Sequence, residues 1–178
     1  MQYLLMAASS RKNSLNKKLI YSVEVALSNL KASSKKLDFL DYVPIGYCGD
    51  IEEKKGVPDI AKDFALMLKN AEKVIFSIPE YNYSIPGVFK NLIDWVSRIK
   101  PSPWQGKKIL VLTASPSIQG GSRSYAHSLQ IFHGLGAHLF PKTMHLSNAH
   151  TQFDKNDMLQ DQKLQVQIEE IIKGFAEF

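Results

Sequence analysis

Cysteine is nearly missing from this chain: one residue, Cys48, in 178. A lone thiol excludes an intramolecular disulfide framework and a multi-cysteine zinc site. Long apolar runs are missing too, and none reaches the roughly 18–20 residues of a membrane-spanning helix. The opening apolar run, Tyr3 to Ala8, has no basic stretch ahead of it and is too short for a secretory signal. A cytoplasmic protein with no membrane partner is therefore expected. Charge of one sign is thin. The 22 Lys+Arg against 17 Asp+Glu leave a formal +5, but the lysines fall in isolated pairs such as Lys17/Lys18 and Lys107/Lys108, with no block of five like charges. That distribution argues against nucleic acid as a partner and leaves room for an anionic small ligand. Internal repeats and low-complexity stretches are also absent. What is present, 44% apolar and 22% charged residues, supports one domain over residues 1–178. A chain of that length buries roughly 70% of its unfolded surface.

Periodicity alternates along the chain. Gln2–Ala8 is a continuous apolar run, as in a strand buried on both faces. Ser14 to Leu30 carries Leu15, Leu19, Val23 and Leu27 at helical spacing. Lys36–Leu40 reads as a short strand. Residues 42–57, broken by Pro44, Gly46, Gly49 and Gly56, read as irregular. A helix opening at Pro58 follows, then a strand over Val74–Ile78, a helix over Pro86–Ile99 and a strand over Ile109–Ala114. A helix over Ser122–Leu135, a short strand over His138–Phe140 and a last amphipathic helix over Asp157–Phe175 complete the series. Five strands alternating with helices predict an α/β fold with a parallel sheet, helices on both faces and three layers, doubly wound. In such a sheet the ligand lies beyond the carboxyl ends of the strands, where strand order reverses. Three loops then matter: residues 9–14, 79–86 and 115–121.

The first loop is Ser9-Ser10-Arg11-Lys12-Asn13-Ser14. It leaves a strand and enters a helix, so its hydroxyls, free N–H groups and the positive helix end can hold an anion, with Arg11 as a planar fork for two phosphate oxygens. The plainer alternative is Ser14 as an N-cap and Arg11 as a surface residue. The loop has no glycine, so it is neither a Walker A loop nor a G-x-G-x-x-G turn. The second loop, Pro79-Glu80-Tyr81-Asn82-Tyr83-Ser84-Ile85-Pro86, is stiffened by two prolines. Its tyrosines either wall a flat heterocycle or cover the sheet end. The third, Ser115-Pro116-Ser117-Ile118-Gln119-Gly120-Gly121, lets backbone approach a ligand closely or simply starts the next helix.

Taken together, Ala8-Ser9-Ser10-Arg11-Lys12-Asn13-Ser14-Leu15-Asn16 and the stretch from Pro79-Glu80-Tyr81-Asn82-Tyr83-Ser84 through Asn91-Leu92-Ile93-Asp94-Trp95 resemble the NAD(P)H-dependent FMN reductase family. That family includes FMN, quinone, chromate and azo reductases of flavodoxin-like fold. The resemblance spans about Met1 to Pro141 and implies strand order 2-1-3-4-5. It implies that Ser9, Arg11, Ser14 and Asn16 hold the FMN phosphate. It places Pro79, Glu80, Tyr81, Asn82 and Tyr83 at the border of the isoalloxazine ring, with Ser115, Ser117, Gly120 and Gly121 on the pyrimidine side. Two positions depart from the family pattern: Ala8 and Ser117 stand where glycine is usual or frequent.

The function so implied is an oxidoreductase passing hydride from NAD(P)H, as co-substrate, through FMN to a flavin, quinone, azo or metal-oxyanion acceptor. The flavin carries the hard chemistry, so no residue is assigned as nucleophile or general base. The rivals are an electron carrier or redox-sensing binding protein without its own NAD(P)H activity. Carriers of that kind tend to be acidic with a Thr/Gly-rich phosphate loop, whereas this chain is basic with a Ser/Arg one. The five histidines, His127, His133, His138, His145 and His150, lack metal-ligand spacing. Trp104 reads as padding at the surface or a border of the site entrance. On the helix after loop two, apolar residues from Val88 to Ile99 sweep about 160°, more than the roughly 100° stripe that faces a sheet. That excess points to a second contact, with another subunit or with the last helix. The resemblance favours a homodimer or homotetramer.

Overall fold

The computed structural model describes residues 2–178, the side chain of Gln2 excepted; Met1, the first residue of the expected domain, lies outside the described residues. The alternation of short apolar runs and amphipathic stretches folds as β1 (Gln2–Ala7), α1 (Leu15–Asn29), β2 (Ser33–Leu37), α2 (Gly49–Lys55), α3 (Asp59–Asn70), β3 (Lys73–Ser77), α4 (Gly87–Ser97), β4 (Lys108–Ala114), α5 (Ser122–Gly134), β5 (His138–Leu139), β6 (His145–Leu146) and α6 (Gln162–Glu177). The strands are parallel in the order β2-β1-β3-β4-β5, with β6 pairing the far end of β4. This is the doubly wound α/β architecture expected from the periodicity, in the strand order that the family resemblance implies. The short β6 had no signal of its own and forms because Thr113 and Ala114 extend past β5 and leave a free edge.

Period-two alternation divides the core. Leu4, Met6, Val74, Phe76, Ile109 and Val111 face α3, α4 and α5, where Phe64, Leu68, Phe89, Leu92 and Phe132 meet them. Tyr3, Leu5, Ile75, Leu110 and Leu112 face α1 and α6, against Leu19, Val23, Ile171, Ile172 and Phe175. Lys73 is buried at the start of β3. Its ammonium donates to the carbonyls of Phe175 at 2.8 Å and Ala176 at 2.7 Å, so it satisfies the last turn of α6 and moors that helix to the sheet.

Four expectations are revised by the tertiary structure. The second strand runs over 33–37, not 36–40, because it pairs with β1 from Ser33 to Leu37 and Asp38 then caps a 3₁₀ turn over Phe39–Tyr42, accepting from the Leu40 N–H at 3.1 Å. The segment read as irregular contains α2. The last helix starts at Gln162, because Asp154 bonds the Asn156 and Met158 N–H groups in a local turn that competes with helix. Trp104 is neither at the surface nor at a site entrance: it is fully buried, 5.5 Å from the ring of Phe132.

The wide apolar arc of α4 is largely covered within the chain, Val88 excepted. Trp95 meets the edge of Tyr47 at 5.0 Å and donates its indole N–H to the Ile45 carbonyl at 2.7 Å. Asn91 accepts from the Tyr47 N–H at 2.7 Å. Residues 45–47 thus supply much of the second contact, and the arc itself no longer argues for another subunit.

Candidate functional site

The chain runs from β1 to β2 on one side and then crosses to β3 on the other, so the crevice beyond β1 and β3 is the switch point of this sheet. Three loops close on it. After β1, Ala8 donates to the Ser77 carbonyl at 2.9 Å, Ser9 Oγ accepts from the Arg11 N–H at 3.4 Å, and Ser14 Oγ caps α1 through the Lys17 N–H at 3.4 Å. Ser9 and Ser14 are buried while Arg11 is exposed above them. The first-turn N–H groups of α1 have no intrahelical acceptor and point the same way. Ala8 and Ser117 both keep negative φ, so neither position calls for the glycine usual in the family pattern.

Asn16 occupies the floor. Its Nδ2 donates to the Ala114 carbonyl at 2.9 Å, and its Oδ1 accepts from the Ala114 N–H at 3.1 Å and the Ser77 hydroxyl at 2.8 Å. One side chain from α1 therefore ties together the ends of β3 and β4. In the second loop, Tyr81 and Ser84 exchange backbone bonds at 2.9 and 3.1 Å around Asn82 and Tyr83, which lie at φ +48° and +67°. Two left-handed central residues make this a type I′ turn. Glu80 looks back into the protein and accepts from the Arg123 and Ser124 N–H groups at 3.1 and 3.3 Å, capping α5. Arg123 in turn lies over the Tyr83 ring at 5.0 Å.

The third loop is held from behind by residues that sequence reasoning passed over. The Thr113 hydroxyl donates to the Gly120 carbonyl at 2.7 Å, and so accepts from His145 Nδ1 at 2.9 Å, which fixes the neutral imidazole as the Nδ1–H tautomer. Tyr125 meets that imidazole edge-on at 4.8 Å. Thr113, Tyr125 and His145 are far apart in the chain, and no spacing rule links them. Burial pushes His145 below the ordinary histidine value of about 6.5. The folded state then takes up this proton at lower pH than the unfolded state does. Its contribution to stability is complete above about pH 6.5 and declines as pH falls from there towards the folded value. The melting temperature of the native chain is expected to fall between pH 7 and 5.5, and His145→Gln to flatten that fall. Equal slopes in the two proteins, measured by thermal denaturation, would contradict this.

Ser9, Arg11, Ser14, Asn16, Pro79, Glu80, Tyr81 and Ser115 are brought together around one cavity of about 220 Å³, with Leu15, Ala114 and Pro116. Asn82 and Tyr83 at the hairpin tip, and Ser117, Gly120 and Gly121 in the third loop, stand outside its wall. The wall has one cation, Arg11, and one carboxylate, Glu80, which already caps α5. Among its described residues there is no histidine or cysteine to pair as base and nucleophile.

A parallel sheet of order β2-β1-β3-β4-β5, covered by helices on both faces and with three loops meeting at its switch point, is an α/β fold of flavodoxin-like type. The family profile described as NADPH-dependent FMN reductase matches residues 1–151. A quinone reductase of Escherichia coli (strain K12) is 32% identical over 143 residues, 80% of this chain and 74% of that protein. An NAD(P)H:quinone oxidoreductase of Solanum tuberosum is 30% identical over 172 residues, 94% and 87% of the two chains. In fold, the flavoenzyme NAD(P)H:(acceptor) oxidoreductase FerB of Paracoccus denitrificans superposes with a TM-score of 0.84 at 22% identity, covering 99% of this chain and 95% of that one. The chain belongs to the NADPH-dependent FMN reductase family, and is an oxidoreductase with FMN as its flavin and a reduced nicotinamide as donor. Among the described residues no helix is long and apolar enough to cross a membrane.

Proposed function

We propose that this chain, as one domain over residues 1–178, binds FMN in the crevice between β1 and β3 and transfers hydride equivalents from NADPH or NADH to quinones. Free flavins, azo compounds and metal oxyanions would be further acceptors of the same site. The observation that carries the reading is the meeting of the buried hydroxyls of Ser9 and Ser14, at the N-terminus of α1, with the Tyr81 hairpin at the sheet's switch point.

The residues present fit the group. Two buried hydroxyls, the first-turn N–H groups of α1 and the Arg11 guanidinium match a phosphate's charge and its many acceptor oxygens. At about 220 Å³ the cavity is smaller than the roughly 300–1,000 Å³ that encloses a whole ligand of drug size. It suits the narrow phosphate and ribityl end, with Pro79 to Tyr83 and Ser115 to Gly121 left to border a flat ring. When bound, FMN supplies the capacity to take a hydride and release electrons to an acceptor. Asn16 holds the floor, Glu80 fixes the aromatic hairpin to α5, and Thr113 with His145 sets the third loop. The exposed Tyr83 and Ile118 give the rim an apolar character suited to planar acceptors. Donor and acceptor then use one site in turn, and parallel double-reciprocal plots are expected.

The assembly is read as a homodimer or homotetramer in the cytoplasm. The exposed Tyr83 in the second loop and Val88 just after it support a contact there.

Arg11→Ala is expected to weaken FMN binding about 30-fold, the scale of a lost charge-assisted hydrogen-bond pair. Riboflavin, which lacks the phosphate, should bind both proteins alike. The test of the whole reading is a yellow protein that NADPH or NADH bleaches with no second protein present. Bleaching only through a partner reductase would make it a carrier.

A further inference from the structure

The tyrosine hairpin has a cavity on each side. Tyr81 walls the flavin pocket, and three residues on, Ser84 and Ile85 wall a second cavity of about 360 Å³ in the groove between α4 and α5. That volume lies within the range that takes a small ligand. Ile85 and Ile131 give it apolar walls, and Gly87, where an added Cβ would meet nothing within 4 Å, leaves the start of α4 open. His127 Nδ1 lies 2.9 Å from the Ser84 hydroxyl, which ties the imidazole to the hairpin. Gln130, one turn further along α5, lines the cavity and makes no hydrogen bond among the described residues. The ammonium of Lys90 is held by Asp94 at 2.6 Å, so the wall offers no free ammonium.

Arg123 stands between the two cavities. It lies four residues before His127, on the same face of α5. Its guanidinium is 5.0 Å over the exposed Tyr83 ring and 3.4 Å from Glu80. Glu80 keeps the Arg123 and Ser124 N–H groups as partners whichever way that guanidinium turns, so the cation is free to take a phosphate. A slot with apolar walls suits a purine, and an amide both donates and accepts, as the amino group and ring nitrogen on the edge of adenine require. We propose that this groove receives the adenosine diphosphate half of the reduced nicotinamide donor. The adenine lies against Ile85 and Ile131 with Gln130 on its edge, and Arg123 takes the pyrophosphate where the dinucleotide crosses Tyr83. The nicotinamide then reaches the flavin crevice from the hairpin side. Val88, at the contact proposed above, points about 160° round α4 from Lys90, so that contact leaves the groove open. The proposal rests on the flavin reading above and adds the seat of its donor.

The test compares NADPH with reduced nicotinamide mononucleotide, which lacks the adenosine half, in the FMN-loaded native chain, Gln130→Leu and Arg123→Gln. Gln130→Leu is expected to raise the KM for NADPH about tenfold at unchanged kcat, and to leave the KM for the mononucleotide within about twofold. Arg123→Gln should raise both, since both donors carry the phosphate next to the nicotinamide ribose. Calorimetry on protein without flavin gives a second reading. ADP-ribose, which carries no nicotinamide, should bind the native chain and bind Gln130→Leu about tenfold more weakly. A KM for NADPH that Gln130→Leu leaves unchanged, or one that rises equally with that of the mononucleotide, overturns the proposal. So does ADP-ribose that fails to bind or binds both proteins alike, and in each case FMN binding still stands. Failure of the native chain to bind FMN overturns this proposal and the flavin reading together.

Discussion

Asn16→Ala is expected to lower the unfolding free energy by about 3 kcal/mol, because the change strips partners from the Ala114 N–H, the Ala114 carbonyl and the Ser77 hydroxyl at once. Each is buried, and an orphaned buried polar group costs roughly 1–3 kcal/mol; entry of water from the adjoining cavity keeps the sum at the low end. For a chain of this size that corresponds to a drop of about 6–12 °C in melting temperature. Flavin affinity should fall with it, since the first and third loops lose the side chain that sets their separation. Asn16→Asp separates the two effects. It keeps the acceptor towards the Ala114 N–H and Ser77, but turns a carboxylate towards the Ala114 carbonyl and places negative charge under the phosphate loop. Affinity for FMN should then fall further than affinity for riboflavin. A melting temperature within 2 °C of the native value for Asn16→Ala would show that the bracket does not hold the strand ends.

The second large effect is expected at Gly120. Its φ of +60° is a left-handed conformation, and an added Cβ would lie 2.7 Å from the His145 carbonyl oxygen and 2.8 Å from its carbon. The obstacle is backbone that is tied into β6, so it cannot swing aside as a flexible side chain would. Left-handed backbone alone costs a non-glycine residue about 1–2 kcal/mol, and displacement of the turn adds to it. Gly120→Ala is expected to cost about 3 kcal/mol and to weaken flavin binding at least tenfold by moving the third loop off Thr113. Gly134→Ala is the control. It lies in the last turn of α5 with nothing within 4 Å of an added Cβ, so it should be neutral or stabilising by up to about 1 kcal/mol. Denaturant unfolding of both variants checks the contrast, and a Gly120→Ala protein as stable as Gly134→Ala would remove the role assigned to the turn.

The two predictions differ in what the sequence foretold. Asn16 was placed in the phosphate loop by its neighbours, yet its three side-chain bonds go to Ser77 and Ala114, at separations of 61 and 98 residues. Glu80 was placed at the ring border, and its side chain lines the pocket while its oxygens cap α5. Both were picked out by position, and their partners were not. Trp104 shows the converse. It read as surface padding or a border of the site entrance, and the gap between Phe64, Phe76 and Phe132 drew it into the core.

The alternation of the first five strands with the longer helices, the two faces of the sheet and the three loops at its carboxyl edge were determined by the sequence alone, because they depend on local periodicity and on a polypeptide's few ways of joining parallel strands; α2 and β6 were not. The tertiary structure alone decided how the third loop is held through Thr113 and His145, and where a second cavity opens across the hairpin, between α4 and α5. Those arrangements depend on side chains that meet only after the sheet has closed, and a contact across many tens of residues leaves no period in the chain to read.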